Sequence, residues 1–193
     1  MSAQSEMKLE RAAIRARASK PMLWIGLVSI TMIFAALTSA YIVRQADPDW
    51  LSLQLPQPFF VSTAIIVLSS MTLWAAAYFI KQNNYAQVTN FVGLTLLLAV
   101  GFVFAQFYTY SYMVDEGYYL TGSNISSSFL YILTGLHLAH LFGGIIALIV
   151  TMVYALRKKY SKDHKLGFEL TATYWHYLTG LWIYLLLFLL FVK

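Results

Sequence analysis

The chain has 193 residues, 60% of them hydrophobic and 11% charged, with a net charge of +5 and a mean hydropathy of +0.65. A water-soluble domain carries about 25% charged residues, so this composition excludes one and points to an integral membrane protein. The absence of cysteine excludes a disulfide framework, a thiolate metal site and a haem attachment motif. The basic excess sits in short flanks between apolar runs, which reads as membrane topology and not as a nucleic-acid partner.

Residues 1–21 form a basic segment with Lys8, Arg11, Arg15, Arg17 and Lys20. A short amphipathic helix on an anionic leaflet and a disordered tail both suit it. A first span is expected over 22–44. Its uncharged run is longer than a signal-peptide core and ends at Arg44, so it reads as a retained helix. Pro56 and Pro58 introduce a second span over 58–80, and a third follows over 88–113. Gly117, Gly122 and Asn124 break the chain before a fourth span over 127–156, and the fifth covers 170–192. Each run supplies the roughly 20 apolar residues that a bilayer core requires. The expected fold is therefore all-α, a polytopic bundle of five transmembrane helices over residues 22–193, without repeats, low-complexity tracts or a soluble domain.

Eleven of the thirteen lysines and arginines fall in the N-terminal segment, at Lys81, or between Arg157 and Lys165; only Arg44 and Lys193 lie on the other side. The positive-inside rule then places the N-terminus in the cytoplasm and the C-terminus outside. An odd number of spans requires the same opposition of ends.

Inside the spans, ionisable groups are few, and in lipid each of them needs a reason. Glu169, Thr173, His176 and Gly180 step by four, three and four residues, so they share a face of the fifth helix that is expected to meet protein and not lipid. Glu169 has two readings: a proton-collecting group at the cytoplasmic mouth, or a favourable charge at a helix N-terminus. His137 and His140, three apart on the fourth helix beside Gly143 and Gly144, can face one partner. One reading makes them, with His176, a metal or haem site. Four histidines in all, with His164 in a loop and no carboxylate within the spans, leave that ligand set short. The other reading makes them polar contacts between closely approaching helices. Gln106 and Thr109, Ser126 to Ser128, and Thr38, Ser39 and Tyr41 are expected to make ordinary interhelical contacts. Trp24, Trp50 and Trp182, with Tyr118 and Tyr119, read as an interfacial belt, although Trp182 falls mid-helix. A self-contained ion pump needs a relay of ionisable groups across the bilayer, which these spans do not carry.

Two of these segments resemble subunit III of the haem–copper oxidases. Gly167 to Tyr177 is similar to the family's Gly-Phe-Glu-Ala-Ala-Ala-x-Tyr-Trp-His-Phe motif, with Glu169, Tyr174, Trp175 and His176 in matching places. Ser127 to Leu141 is similar to its Ser-Thr-Phe-Phe-x-x-Thr-Gly-Phe-His-Gly-Leu-His-Val run, matching Phe129, Thr134, Gly135, His137 and His140. Phe34 to Arg44 and Phe102 to Gln106 are weaker echoes. The resemblance spans the membrane portion, and five spans look like the short bacterial form of the subunit.

The resemblance implies an accessory core subunit of a proton-pumping terminal oxidase of a bacterial inner membrane. It implies no catalytic, cofactor-binding or metal-binding residue in this chain, with haem and copper held by partner subunits. The implied partners are the catalytic subunit I, subunit II, bound phospholipid and a respiratory supercomplex. His137, His140, Glu169, Trp175 and His176 become candidate structural, interface or proton-uptake residues. It also implies that helices one and two pair apart from helices three to five, leaving a lipid-filled cleft. Family carboxylates are replaced here by uncharged residues at Ser29 to Met32, Thr109 and Thr179, so Glu169 alone is left for a carboxylate antenna. A related subunit of nitric oxide reductase shares these motifs, and an autonomous histidine-based metalloprotein is the reading from a different class.

Overall fold

The computed structural model describes residues 3–48, 50, 55–120, 125–157, 160 and 165–192, with side chains at residue 14 and from residue 17 onward. Asp49, Gly122, Asn124, Lys158, Lys159, Lys162, His164 and Lys193 lie outside the described residues, as do the side chains of Lys8, Arg11 and Arg15. The described chain is all-helical. Its helices are α1 (Ala3–Arg44), α2 (Pro58–Lys81), α3 (Tyr85–Asp115), α4 (Ile125–Leu156) and α5 (Leu166–Phe191). All five are long and apolar enough to cross a membrane.

The helix boundaries follow local chemistry. Pro58 opens α2, where its missing N–H is no loss. At the far end of α2, Asn83 adopts φ 56°, the left-handed geometry that Asn tolerates better than most residues. Asn83 N–H then donates to Ile80 O at 3.1 Å and Asn84 N–H to Phe79 O at 3.2 Å. That paired pattern closes the helix. Asn84 at once caps α3, its Oδ1 accepting from Gln87 N at 3.3 Å. The same closure recurs after α3, with Gly117 at φ 83° and Tyr118 N–H donating to Met113 O at 2.9 Å. The segment beyond is caught by the start of α4, where Ser127 and Ser128 hydroxyls donate to the carbonyls of Tyr119 and Leu120 at 3.1 and 2.7 Å.

The first helix differs from expectation. It runs without interruption from Ala3, so the basic segment continues the first span as one helix with Pro21 inside it. Pro21 lacks the N–H that would bond to the preceding turn, which weakens the helix at the point where the apolar run begins.

Packing puts α5 at the centre. It contacts α1, α2 and α4, while α3 packs on α2 and α4, and α1 on α5 and α4. Trp175, Trp182, Phe34, Phe59 and Phe102 are buried between these helices. Gly144 lets α4 approach α5, since a Cβ there would lie 3.0 Å from the Trp175 ring and 3.1 Å from Leu178.

This arrangement corrects the expected pairing of helices one and two. α1 and α2 make no contact among the described residues. The tight turn at Gln82–Asn84 obliges α2 to lie against α3, whereas the longer 45–57 connection leaves α1 free to dock elsewhere. A groove therefore opens between α1 and α2, and α5 forms its floor.

Candidate functional site

The polar groups of α5 mate with those of α2 in a regular way. On α2, Ser62 and Ser69 are seven residues apart, as are Thr63 and Ser70; on α5, so are Trp175 and Trp182. Seven residues are close to two helical turns, so each pair lies on one face. The helices run antiparallel and their faces interlock. Trp175 Nε1 donates to Ser69 Oγ at 3.0 Å and Trp182 Nε1 to Thr63 Oγ1 at 2.9 Å. His176 Nδ1 meets Ser70 Oγ beside them. Gln106 of α3 donates to Ser62 Oγ at 2.9 Å and Thr72 meets Thr95 at 2.8 Å, extending the seam into α3. Trp182 thus belongs to the core, at 1% exposure, and not to an interfacial belt. Trp24 is 61% exposed near the start of its span.

The three candidate histidines point to different places. His137 is fully buried in an aromatic cage, its ring 5.1 Å from Trp182 and 6.4 Å from both Phe34 and Phe102. Neither of its ring nitrogens has a hydrogen-bond partner among the described residues. His140 also meets Phe34, at 5.7 Å, but its Nδ1 is 2.8 Å from the Leu136 carbonyl of its own helix. Of the three, His176 alone has a ring nitrogen hydrogen-bonded to another helix among the described residues. Among the described residues no group of three potential ligands converges. His137, His140 and His176 therefore do not form one shared ligand set.

Glu169 lies in the first turn of α5 and ties that helix to α1. Its Oε2 is 2.9 Å from Lys20 Nζ of α1, and its Oε1 is 3.1 Å from Lys165 Nζ just before α5. Both carboxylate oxygens are thus occupied by ammonium groups. Further along, α1 is tied to α5 by two tyrosines. The Tyr177 hydroxyl is 2.8 Å from Thr31 Oγ1 and 3.1 Å from the Leu27 carbonyl. The Tyr184 hydroxyl is 3.3 Å from Thr38 Oγ1.

The Glu169–Thr173–His176–Gly180 face is less enclosed than expected. Glu169, Thr173 and His176 line a cavity of about 360 Å³ in the groove between α1 and α2. Gly180 is exposed, with open space where a Cβ would stand. Within this chain the face is open at both places.

Sequence reasoning missed the Trp–Ser and Trp–Thr pairs and the Lys20–Glu169 contact. The recurrence of small polar residues along α2, with the acceptors Thr63 and Ser69 six apart facing tryptophans seven apart on α5, was a usable signal. The lysine–glutamate pair had none, because the two residues are 149 positions apart.

Fold and site together define a polytopic helical membrane protein whose in-span polar groups hold helices to one another. The chain belongs to the cytochrome c oxidase subunit III family, whose sequence profile matches residues 22–192. It is 30% identical over 177 residues to a probable cytochrome c oxidase subunit 3 of Nocardia farcinica, covering 88% of this chain and 85% of that one. Cytochrome c oxidase subunit 3 of Bacillus sp. strain PS3 is 26% identical over 166 residues, covering 84% and 80% of the two chains. That of Drosophila melanogaster is 32% identical over 125 residues, covering 65% of this chain and 46% of the insect one.

Proposed function

We propose that this chain is the accessory core subunit of a proton-pumping aerobic terminal oxidase in a bacterial inner membrane. Its N-terminus faces the cytoplasm. It packs against the catalytic subunit, which holds haem and copper and reduces oxygen to water, and it steadies that subunit during turnover. The chain carries no redox centre. It works by shape: a rigid bundle, with phospholipid at its surface, that borders an apolar route for oxygen and helps keep proton entry intact.

The family match over 22–192 is the observation that carries this reading. The site supports it, because the ionisable groups near the spans serve packing and ion pairing. Glu169 is bridged by Lys20 and Lys165, His176 is engaged with Ser70, and His137 lies in an aromatic cage. A carboxylate holding two ammonium groups is better suited to clasping α1 onto α5 than to gathering protons.

The test is a mild-detergent pull-down from native membranes through a tag on the N-terminus, read by a reduced-minus-oxidised spectrum and oxygen uptake. Co-purification of haem a with oxygen consumption is the expected result. A b-type haem with nitric oxide reduction would assign the chain to a nitric oxide reductase instead. A chain that arrives alone and colourless would overturn both readings.

A further inference from the structure

We propose that the core of the bundle is a binding site for one buried water molecule, held between Gln106 of α3 and His137 of α4. Both side chains are enclosed, His137 fully and Gln106 at 1% exposure. Yet Oε1 of Gln106 and both ring nitrogens of His137 have no hydrogen-bond partner among the described residues. The other end of the amide is engaged. Ser62 Oγ donates to the Phe59 carbonyl at 3.0 Å, so it is free to accept from Gln106 Nε2 at 2.9 Å. That fixes the amide with its oxygen as the end left over.

Neighbouring contacts bring these atoms into one layer of the bundle. Phe102 of α3 meets the His137 ring at 6.4 Å, and Tyr110 of α3 donates to Thr134 of α4 at 3.0 Å. Gln106 stands midway between Phe102 and Tyr110, roughly 6 Å along the helix from each. Trp182 closes the layer from α5, with its ring 5.1 Å from both His137 and Phe102 and 6.0 Å from Phe59. Its Nε1 donates to Thr63, the residue after Ser62.

The chemistry of the atoms selects the occupant. An amide oxygen only accepts, and a neutral imidazole offers one lone pair and one N–H. Two acceptors cannot bond to each other, whereas a water donates one hydrogen to Gln106 Oε1 and the other to the imidazole lone pair. The remaining imidazole N–H then points at the aromatic cage, where Phe34 and Phe102 lie at 68° and 79° to the ring. An aromatic face accepts such a donor weakly. One carbonyl and one imidazole are too few ligands for a metal ion, and the enclosure excludes a lipid headgroup or a partner's side chain. Buried waters commonly serve polar groups that lack other partners. The water continues the α2–α3 seam into α4, in the order Ser62, Gln106, water, His137.

The test is electron cryomicroscopy of the intact complex, carried to a resolution that shows ordered waters. One isolated density is expected within hydrogen-bond distance of Gln106 Oε1 and of one His137 ring nitrogen. His137→Phe keeps an aromatic ring and the Gln106–Ser62 bond, and should lose that density. Resolved side chains with no density between them would overturn the proposal, as would a direct bond between Gln106 and His137. So would a density that persists in His137→Phe. If the variant fails to assemble, the map of the parent complex decides by itself. A complex lacking haem a would remove the oxidase reading and leave the outcome at this site standing.

Discussion

Ser69 and Gly144 show what single atoms do in this bundle. Ser69 is fully buried and its hydroxyl accepts the Trp175 indole N–H. Ser69→Ala leaves that N–H without a partner in the core. Interhelical hydrogen bonds in membranes average about 0.6 kcal/mol and reach about 1.7. A loss of about 1 kcal/mol is expected, measured as unfolding free energy in detergent, and Trp175→Phe should be non-additive with it. Gly144 works by lacking a side chain: a Cβ would press on the Trp175 ring at 3.0 Å. Gly144→Ala should cost about 1–3 kcal/mol by overpacking, more than the serine change. His137 is the residue that simple bookkeeping explains least, since neither ring nitrogen has a partner among the described residues while its ring packs against three aromatic side chains.

At the scale of elements, α1 is the helix most sparsely packed on its neighbours, touching α5 and α4 among the described residues. Its attachment relies on Lys20–Glu169 at one end and on Tyr177 and Tyr184 further along. Partly exposed ion pairs are worth no more than about 1 kcal/mol, so the clasp guides α1 and does not hold it alone. Glu169→Gln and Lys20→Gln should therefore loosen α1 to the same small extent, seen as faster hydrogen exchange in α1 with α2 and α3 unchanged. Both variants should turn over oxygen within about twofold of the parent at alkaline pH, the change expected from so weak a pair. A slowing confined to Glu169→Gln, with assembly intact, would return the proton-collecting role to this carboxylate.

For the whole molecule, the orientation of the bundle can be read directly because the chain has no cysteine. Gln82, in the α2–α3 turn, and Gln57, just before α2, are both exposed and lie at opposite ends of one helix. A membrane-impermeant maleimide should label Gln57→Cys on intact cells and Gln82→Cys only after lysis. The reverse pattern would invert the proposed topology.

Charge-free runs of about 20 residues have one stable solution in lipid, a helix that satisfies its own backbone. For that reason the number and type of elements could be read from the sequence, along with the break at Gly117, whereas the turn at Asn83 emerged only from the backbone. The two motifs around His137 and Glu169 likewise gave the family, because they are local strings. Which helix touches which could not be read this way. All five helices are apolar on most faces, so hydrophobic periodicity does not say where neighbours lie. The length of the 45–57 connection, the interlocked faces of α2 and α5, and the reach of Lys20 to Glu169 settle that question only when the chain is assembled. Tertiary structure alone moved Trp182 into the core, sent the three histidines to three separate environments, and opened the groove between α1 and α2. Each is a consequence of side-chain packing between segments distant in sequence, and no local pattern encodes it.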